Sequence, residues 1–176
     1  MRIALITPGF SADEHDWCIP ALLDLVRVLA REHDVHVFTL RYPHRRASYD
    51  VYGATVHAFG GAETRGLGRW RLIRRALSAV RSEHRREPFD VVHGFWADEP
   101  GFIATAFGRM QRIPSVVSLM GGGLVGLRDI GDGGELSLSE LKLTYEADRS
   151  TQLMAYVPAK ARSWSEQFDS ITMTAT

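Results

Sequence analysis

The 176-residue sequence has a single cysteine, no net charge and no long apolar run. Because Cys18 has no second cysteine to pair with, a disulfide within the chain is excluded, and a reducing compartment is expected. No stretch approaches the ~20 apolar residues of a membrane-spanning helix. The N-terminal apolar run is too short for a signal peptide, because Pro8 and Gly9 end it. These absences predict a cytoplasmic protein, with peripheral contact at the inner face of the membrane left open.

The zero net charge conceals an uneven distribution of charge along the chain. Residues 65–87 hold eight arginines and two glutamates, whereas residues 129–148 hold six acids and one lysine. The arginine-rich segment is either an ordinary sheet-covering helix with a solvated face, which is favoured, or a basic amphipathic helix on anionic lipid. No nucleic-acid partner is predicted, since no recognised binding module accompanies the arginines. The residues that would contact lipid are Arg69, Arg71, Arg74 and Arg75.

Short apolar, β-branched runs alternate with segments of helical periodicity along residues 1–120. This alternation predicts an α/β fold in which a Rossmann-like parallel sheet carries helices on both faces. Residues 1–150 are expected to form this lobe, and residues 151–176 a divergent tail that is poorly ordered or a truncated continuation. The predicted strands are Ile3–Thr7, Val35–Leu40, Val51–Phe59, Val91–His93 and Ser115–Met120. The predicted helices run from Pro20 to about Asp34, from Arg69 to about Arg86 with Trp70, Ile73, Leu77 and Val80 facing the core, and from Gly101 to about Met110.

A cluster of polar and aromatic residues follows the fourth predicted strand, where ligands bind in open parallel sheets. His93 could hydrogen-bond a hydroxyl group of a ligand, titrate near neutrality or be a partly buried histidine without a role. Trp96 could stack on a ring of a ligand or fill the core. Asp98 and Glu99 could accept hydrogen bonds from hydroxyl groups or cap the next helix, and capping is favoured.

Two glycine-containing segments are further candidates for a ligand site. Pro8, Gly9 and Phe10 could bring backbone N–H groups to a phosphate, or form a plain turn after the first strand. A single glycine is not a dinucleotide fingerprint, so a nicotinamide enzyme is not predicted. The run Gly121, Gly122 and Gly123 permits close backbone approach to a ligand, or is simply a flexible loop. No metal site is predicted, because the acidic residues 13–16 lack calcium or zinc spacing.

Three stretches, taken in order, resemble the N-terminal, acceptor-side domain of glycosyltransferase family 4, which has the GT-B fold. They are Arg2–Gly9 with Pro20–Ala30, Phe89–Trp96 leading into Gly101–Ala106, and Ile113–Gly122. The resemblance covers roughly residues 1–130, and Ala147, Asp148 and Arg149 look like the start of the last strand of that lobe. It implies a retaining transferase that uses a nucleotide diphosphate sugar as donor and needs no cofactor.

The resemblance also implies roles for individual residues. The loop of Pro8, Gly9 and Phe10 would lie near the donor diphosphate, and His93 is the best candidate for a catalytic residue. The acceptor, a sugar or a lipid-linked molecule, would occupy a cleft in this lobe, while a second lobe would hold most of the donor. The expected cleft residues are His93, Trp96, Asp98, Glu99, Gly121, Gly122 and Gly123.

The sequence departs from the family pattern in three places, and one of them is the tail after Arg149, which does not resemble the usual continuation of the family. The sequence also stops at Thr176, about where the second lobe would begin, so the paired-glutamate donor motif of the family is absent. Met120 stands where the family usually has a histidine near the reacting sugar. The chain is therefore expected to be incomplete without a donor-binding lobe, which a partner chain could supply. The alternatives are a non-catalytic binding lobe and an inactive remnant.

Overall fold

The computed structural model describes residues 1–61 and 66–119 and the backbone of residues 151–155. The strands are β1 (Arg2–Gly9), β2 (Asp34–Tyr42), β3 (Arg46–Val51), β4 (Ala54–Phe59), β5 (Val91–Phe95), β6 (Ser115–Leu119) and β7 (Thr151–Ala155). The helices are α1 (Pro20–Leu29), α2 (Leu67–Arg86) and α3 (Glu99–Gln111). None of these helices is long and apolar enough to cross a membrane.

The strands form one sheet in the order β3-β4-β2-β1-β5-β6-β7. Every neighbouring pair is parallel except β3 and β4. Helix α1 covers one face of the sheet, and α2 and α3 cover the other. The predicted Rossmann-like α/β fold is therefore confirmed. Strand β7 pairs with β6, so the lobe expected to end at residue 150 extends through Ala155, and residues 156–176 lie outside the described residues.

Each face of the sheet has its own apolar core. On the α1 side, Leu22, Leu23 and Val26 of α1 pack on the sheet, as the helical spacing predicts. Helix α1 ends at Leu29 rather than near residue 34, because the N–H of Asp34 already donates to the carbonyl of Met1 and so belongs to the sheet. The core on the other side is built from β1, β2, β4 and β5 with Leu72, Ile73, Ala76, Val80, Phe89, Ile103, Ala104 and Phe107.

The predicted strand Val51–Phe59, with Gly53 as a possible turn or bulge, is confirmed over residues 54–59, which form β4, but Val51 ends a separate strand and a hairpin joins the two. Strand β3 runs antiparallel to β4 at the sheet edge, and Tyr52 (φ 49°) and Gly53 (φ 84°) form the turn. Positive φ at both central residues is the geometry of the tight turns that suit twisted hairpins. Strand β3 escaped prediction because an edge strand with alternating exposed side chains lacks a continuous apolar run.

The predicted inner face of α2 is also partly wrong. Ile73 and Val80 are buried as expected, but Leu72 and Ala76 complete the buried stripe. Trp70 is 57% exposed, since it lies about 100° around the helix from the middle of that stripe. The largest apolar residue of α2 therefore faces outward.

A buried polar network lies at the opposite end of the sheet from the candidate site. Arg2, at the start of β1, donates from Nε to Asp34 Oδ2 at 2.7 Å and from Nη2 to His36 Nε2 at 2.9 Å. A guanidinium can only donate, so His36 accepts at Nε2 and carries its proton on Nδ1. That Nδ1 lies 3.1 Å from His57 Nε2, and the N–H donates to it. Both imidazoles are therefore neutral in this arrangement.

We expect this network to make the fold sensitive to acid. Burial and the neighbouring His36 lower the pKa of His57 to about 4, and burial and Arg2 lower that of His36. The unfolded chain therefore binds more protons between pH 4 and 6.5, so the free energy of unfolding falls as the pH drops through this window. We expect His57 to contribute on the order of 2 kcal/mol, and urea unfolding at several pH values would measure this contribution.

The matched variants are His57→Gln and His15→Gln, the second at an exposed position in the loop before α1. Glutamine keeps an acceptor for His36 but does not titrate, so His57→Gln should flatten the pH dependence, whereas His15→Gln should not. Equal slopes in the two variants would contradict this account.

Candidate functional site

The candidate site is built around the connection between β5 and α3. Strand β5 continues to Phe95, two residues past the predicted end, and α3 begins at Glu99, two residues before its predicted start. His93 therefore lies inside the strand rather than just beyond it. The turn starts at Trp96, a non-glycine residue with a positive φ of 71°. Such backbone conformations are uncommon for bulky residues and occur where surrounding contacts hold them in place.

Two glycines allow α3 to sit directly on β5. A Cβ on Gly94 would lie 2.6 Å from the carbonyl oxygen of Pro100, and a Cβ on Gly101 would lie 2.7 Å from that of Trp96. Neither contact is sterically possible, so only glycine fits at these positions. The Gly101 N–H also donates to the Trp96 carbonyl at 3.0 Å, which closes the turn. The close approach fixes where Asp98 and Glu99 project.

His93 is a neutral hydrogen-bonding group in this structure. Its Nε2 lies 2.8 Å from Ser118 Oγ on β6, and its ring stacks on Phe95 with centroids 4.1 Å apart. Burial lowers the pKa of His93 to about 4. The alternative that this histidine titrates near neutrality is therefore not supported, whereas hydrogen bonding to a hydroxyl is compatible with a neutral ring.

Trp96 is half-buried and packs against the core on the α1 side of the sheet. Its backbone N–H donates to the carbonyl of Ser118 at 2.8 Å, which anchors the turn to β6. The ring therefore serves the core, and its predicted stacking on a sugar stays a prediction.

Asp98 does not cap α3, contrary to the favoured prediction. It occupies the N-cap position, but its side chain makes no capping hydrogen bond and is exposed. Partial desolvation and the neighbouring Glu99 raise the pKa of Asp98 to about 6. Asp98 is thus a carboxyl group beside the turn that changes charge close to neutral pH.

Glu99 is buried and held by two arginines, a contact that the sequence did not predict. Its Oε1 accepts a hydrogen bond from Arg41 Nη2 at 2.6 Å and forms an ion pair with Arg69 Nε at 2.9 Å, and its side chain is only 8% exposed. Arg41 lies near the end of β2 and Arg69 in the first turn of α2. One carboxylate therefore joins β2, α2 and α3 at the carboxyl edge of the sheet. This geometry gives Glu99 the role of positioning two cations, since its Oε1 is already occupied.

The segment proposed for the donor diphosphate differs from the expected loop. Pro8 and Gly9 belong to β1, and Phe10 is fully buried. Pro8 has no N–H, and the N–H of Phe10 donates to the carbonyl of Tyr42 at 3.1 Å. Gly9 faces Tyr42 and Cys18, whose side-chain atoms would lie within 3.5 Å of an added Cβ. These backbone groups are largely engaged within the fold, and the diphosphate contact stays a prediction.

The remaining sequence candidates are settled only in part. Met120 and the run Gly121, Gly122 and Gly123 lie outside the described residues. Within residues 1–61 and 66–119, no three histidine, cysteine or acidic side chains are grouped to hold a metal ion. In the loop before α1, the carboxylates of Asp13 and Asp16 accept hydrogen bonds from nearby backbone N–H groups.

The family comparison decides what kind of lobe this is. The family model described as the glycosyl transferase 4-like domain matches residues 19–154, which is most of the chain. The chain belongs to this family. The match includes the β5–α3 connection and both arginines that bind Glu99. No curated protein matches the chain.

Solved structures share the fold of this glycosyl transferase 4-like domain at low sequence identity. Sucrose-phosphate synthase from Thermosynechococcus elongatus matches with a TM-score of 0.51 and 11% identity, over 94% of this chain and 52% of that chain. A second structure of that synthase matches with a TM-score of 0.51 and 12% identity, over 97% of both chains. At such identities the likeness shows the fold alone, a GT-B type Rossmann-like lobe. The chain spans about half the length of the first of these structures.

Two features of the glycosyl transferase 4-like domain could have been suspected from sequence. Arg69 stands in the first turn of a helix, where the helix dipole disfavours a cation, so an acidic partner was to be expected. Gly94 and Gly101 flank the turn at a spacing that suits close packing between a strand and the next helix. The identity of the partner, Glu99, could not be predicted, because Arg41 and Glu99 are 58 residues apart.

We predict that Glu99→Gln destabilises the domain. An amide cannot neutralise Arg41 and Arg69, so two cations would be left facing each other across an uncharged group. The free energy of unfolding should fall by about 1–3 kcal/mol, measured by urea unfolding at pH 7. The matched control is Glu32→Gln, an exposed glutamate after α1, which should change it by less than about 0.5 kcal/mol. Similar losses in both variants would contradict a special role for Glu99.

Proposed function

We propose that this chain is the acceptor-binding lobe of a retaining glycosyltransferase that uses a nucleotide diphosphate sugar. The observation that carries the proposal is the family match over residues 19–154, and in this lobe His93 of β5 is followed by the turn that holds Trp96 and Asp98. In open α/β sheets, ligands bind outside the carboxyl ends of the strands. The acceptor would lie beside this turn.

The residues of the turn supply hydrogen bonding rather than acid–base catalysis at His93. A neutral imidazole presents one donor and one acceptor, and Ser118 Oγ at 2.8 Å fixes one ring nitrogen. The exposed Asp98 carboxylate can accept a hydrogen bond from an acceptor hydroxyl when it is ionised. Both groups would orient the hydroxyl for attack on the donor sugar, which lowers the barrier by positioning.

A second lobe would hold the nucleotide diphosphate sugar and stabilise the departing diphosphate. The chain spans 52% of the sucrose-phosphate synthase chain that it resembles, which supports a partner or continuation of similar size. The cations Arg41 and Arg69 lie at the edge of the sheet that would face this lobe, and Glu99 keeps them in place.

The test is sugar transfer by the purified chain with a panel of nucleotide sugars and with sugar or lipid-linked acceptors. Each reaction is run with and without the protein encoded immediately downstream as the donor-binding lobe. We expect transfer only when both lobes are present. His93→Phe removes the hydrogen bond to the acceptor and should lower kcat/KM about tenfold. The matched control is His33→Phe, a half-buried histidine between α1 and the amino end of β2, which should leave kcat/KM unchanged.

The other outcomes are equally informative. Transfer by the chain alone would overturn the need for a second lobe. If neither reaction shows sugar transfer, and a cooperative unfolding transition shows that the chain is folded, a non-catalytic binding lobe or an inactive remnant would be favoured.

A further inference from the structure

A small apolar surface is exposed on the outer side of α2 and α3. Leu67 and Trp70 of α2 are 76% and 57% exposed, and Phe102 of α3 is 47% exposed. The rings of Trp70 and Phe102 meet edge to face with centroids 6.2 Å apart, so the two helices contribute to one surface. Leu67 and Trp70 are three residues apart and therefore share a helix face. We call Leu67, Trp70 and Phe102 the α2–α3 surface.

The α2 side of the α2–α3 surface is rich in arginine. Residues 66–82 and 101–112, which form most of these two helices, contain seven arginines and no aspartate or glutamate. Arg71, Arg74 and Arg75 are exposed, and none makes an ion pair within the described part of the chain. Arg71 and Arg74 follow Leu67 and Trp70 along the same face, at one-turn spacing. Apolar rings are therefore bordered by unneutralised guanidinium groups.

We propose that the α2–α3 surface docks this protein on a bilayer containing anionic phospholipid. Tryptophan and phenylalanine insert at the headgroup level, while arginines beside them attract the lipid phosphates. Each cation close to such a surface increases binding about fivefold. The three exposed arginines on α2 complement a uniformly anionic membrane, and the acidic neighbour Asp98 lies one turn before Phe102, on the side of the candidate site.

Helix α2 is already folded and packed on the sheet before any docking takes place. Leu72, Ile73, Ala76 and Val80 anchor the opposite stripe of α2 in the core, so docking does not require the helix to fold. Preorganised groups avoid the entropy cost of ordering a segment on binding.

The surface adjoins the candidate site along both helices. Trp70 follows Arg69, which binds Glu99, and Phe102 lies three residues after Glu99. Docking would therefore bring the carboxyl edge of the sheet close to the bilayer. The inference rests on exposure and charge alone and stands whether or not the chain transfers sugars.

The test is co-sedimentation of the full chain with vesicles of equal parts phosphatidylglycerol and phosphatidylcholine, and with vesicles of phosphatidylcholine alone. We expect binding to the anionic vesicles that weakens as salt is raised. The triple variant R71Q/R74Q/R75Q should bind about one hundredfold more weakly. The double variant W70S/F102S should also lose binding, because insertion of the rings is removed while the charge is kept.

Matched controls carry the same changes elsewhere on the described surface. R27Q/R31Q/R46Q removes three exposed arginines from α1, the turn that follows it and β3, and Trp17→Ser removes a tryptophan that is 70% exposed. Both should bind like the unmodified chain, and all variants should unfold cooperatively because every altered residue is exposed. Equal losses in the two triple variants, or no effect of W70S/F102S, would overturn the proposal in favour of adsorption by net charge.

Absence of vesicle binding would likewise overturn it. A dimer seen by sedimentation velocity that W70S/F102S dissolves, without vesicle binding, would assign the α2–α3 surface to a second copy of this chain.

Discussion

The carboxylate of Glu99 is the contact on which the carboxyl edge of the sheet depends. One oxygen accepts a hydrogen bond from Arg41 and forms an ion pair with Arg69, and the side chain is almost wholly removed from water. These three residues belong to α3, β2 and α2, so a single buried charge ties three elements together. A carboxylate in such surroundings is costly without cationic partners, which means that the three elements hold their positions jointly.

The glycine contacts place that carboxylate. Gly94 and Gly101 allow α3 to approach β5 so closely that any side chain would collide with backbone. The chain must then turn sharply, and Trp96 takes a positive φ within that turn. Hydrogen bonds from Trp96 N–H to Ser118 and from Gly101 N–H to Trp96 compensate for the unfavourable conformation. The arrangement of His93, Asp98 and Glu99 is thus a consequence of backbone packing, with side-chain chemistry added to it.

The sequence predicted the parallel sheet and its helices because those depend on local periodicity, as in α1, where Leu22, Leu23 and Val26 recur at helical spacing. It did not predict β3, whose polar edge strand lacks a buried run, or the continuation of β5 through Gly94 and Phe95. The sequence located the candidate site only as a region at the end of β5. His93 was identified by position, but its low pKa depends on burial that no local pattern reveals. The pairing of Glu99 with Arg41 is a long-range contact, and such contacts leave no periodic signal.

The orientation of Trp70 decides which role the arginines of α2 can have. If Trp70 packed in the core, α2 would be an ordinary sheet-covering helix with solvated arginines. Facing outward beside Phe102, Trp70 makes the same arginines the border of an apolar surface. The inner stripe of Leu72, Ile73, Ala76 and Val80 is sufficient to hold the helix on the sheet, so packing does not need the tryptophan. The proposed docking on a bilayer would explain why a large aromatic ring that the core does not need lies beside three exposed arginines.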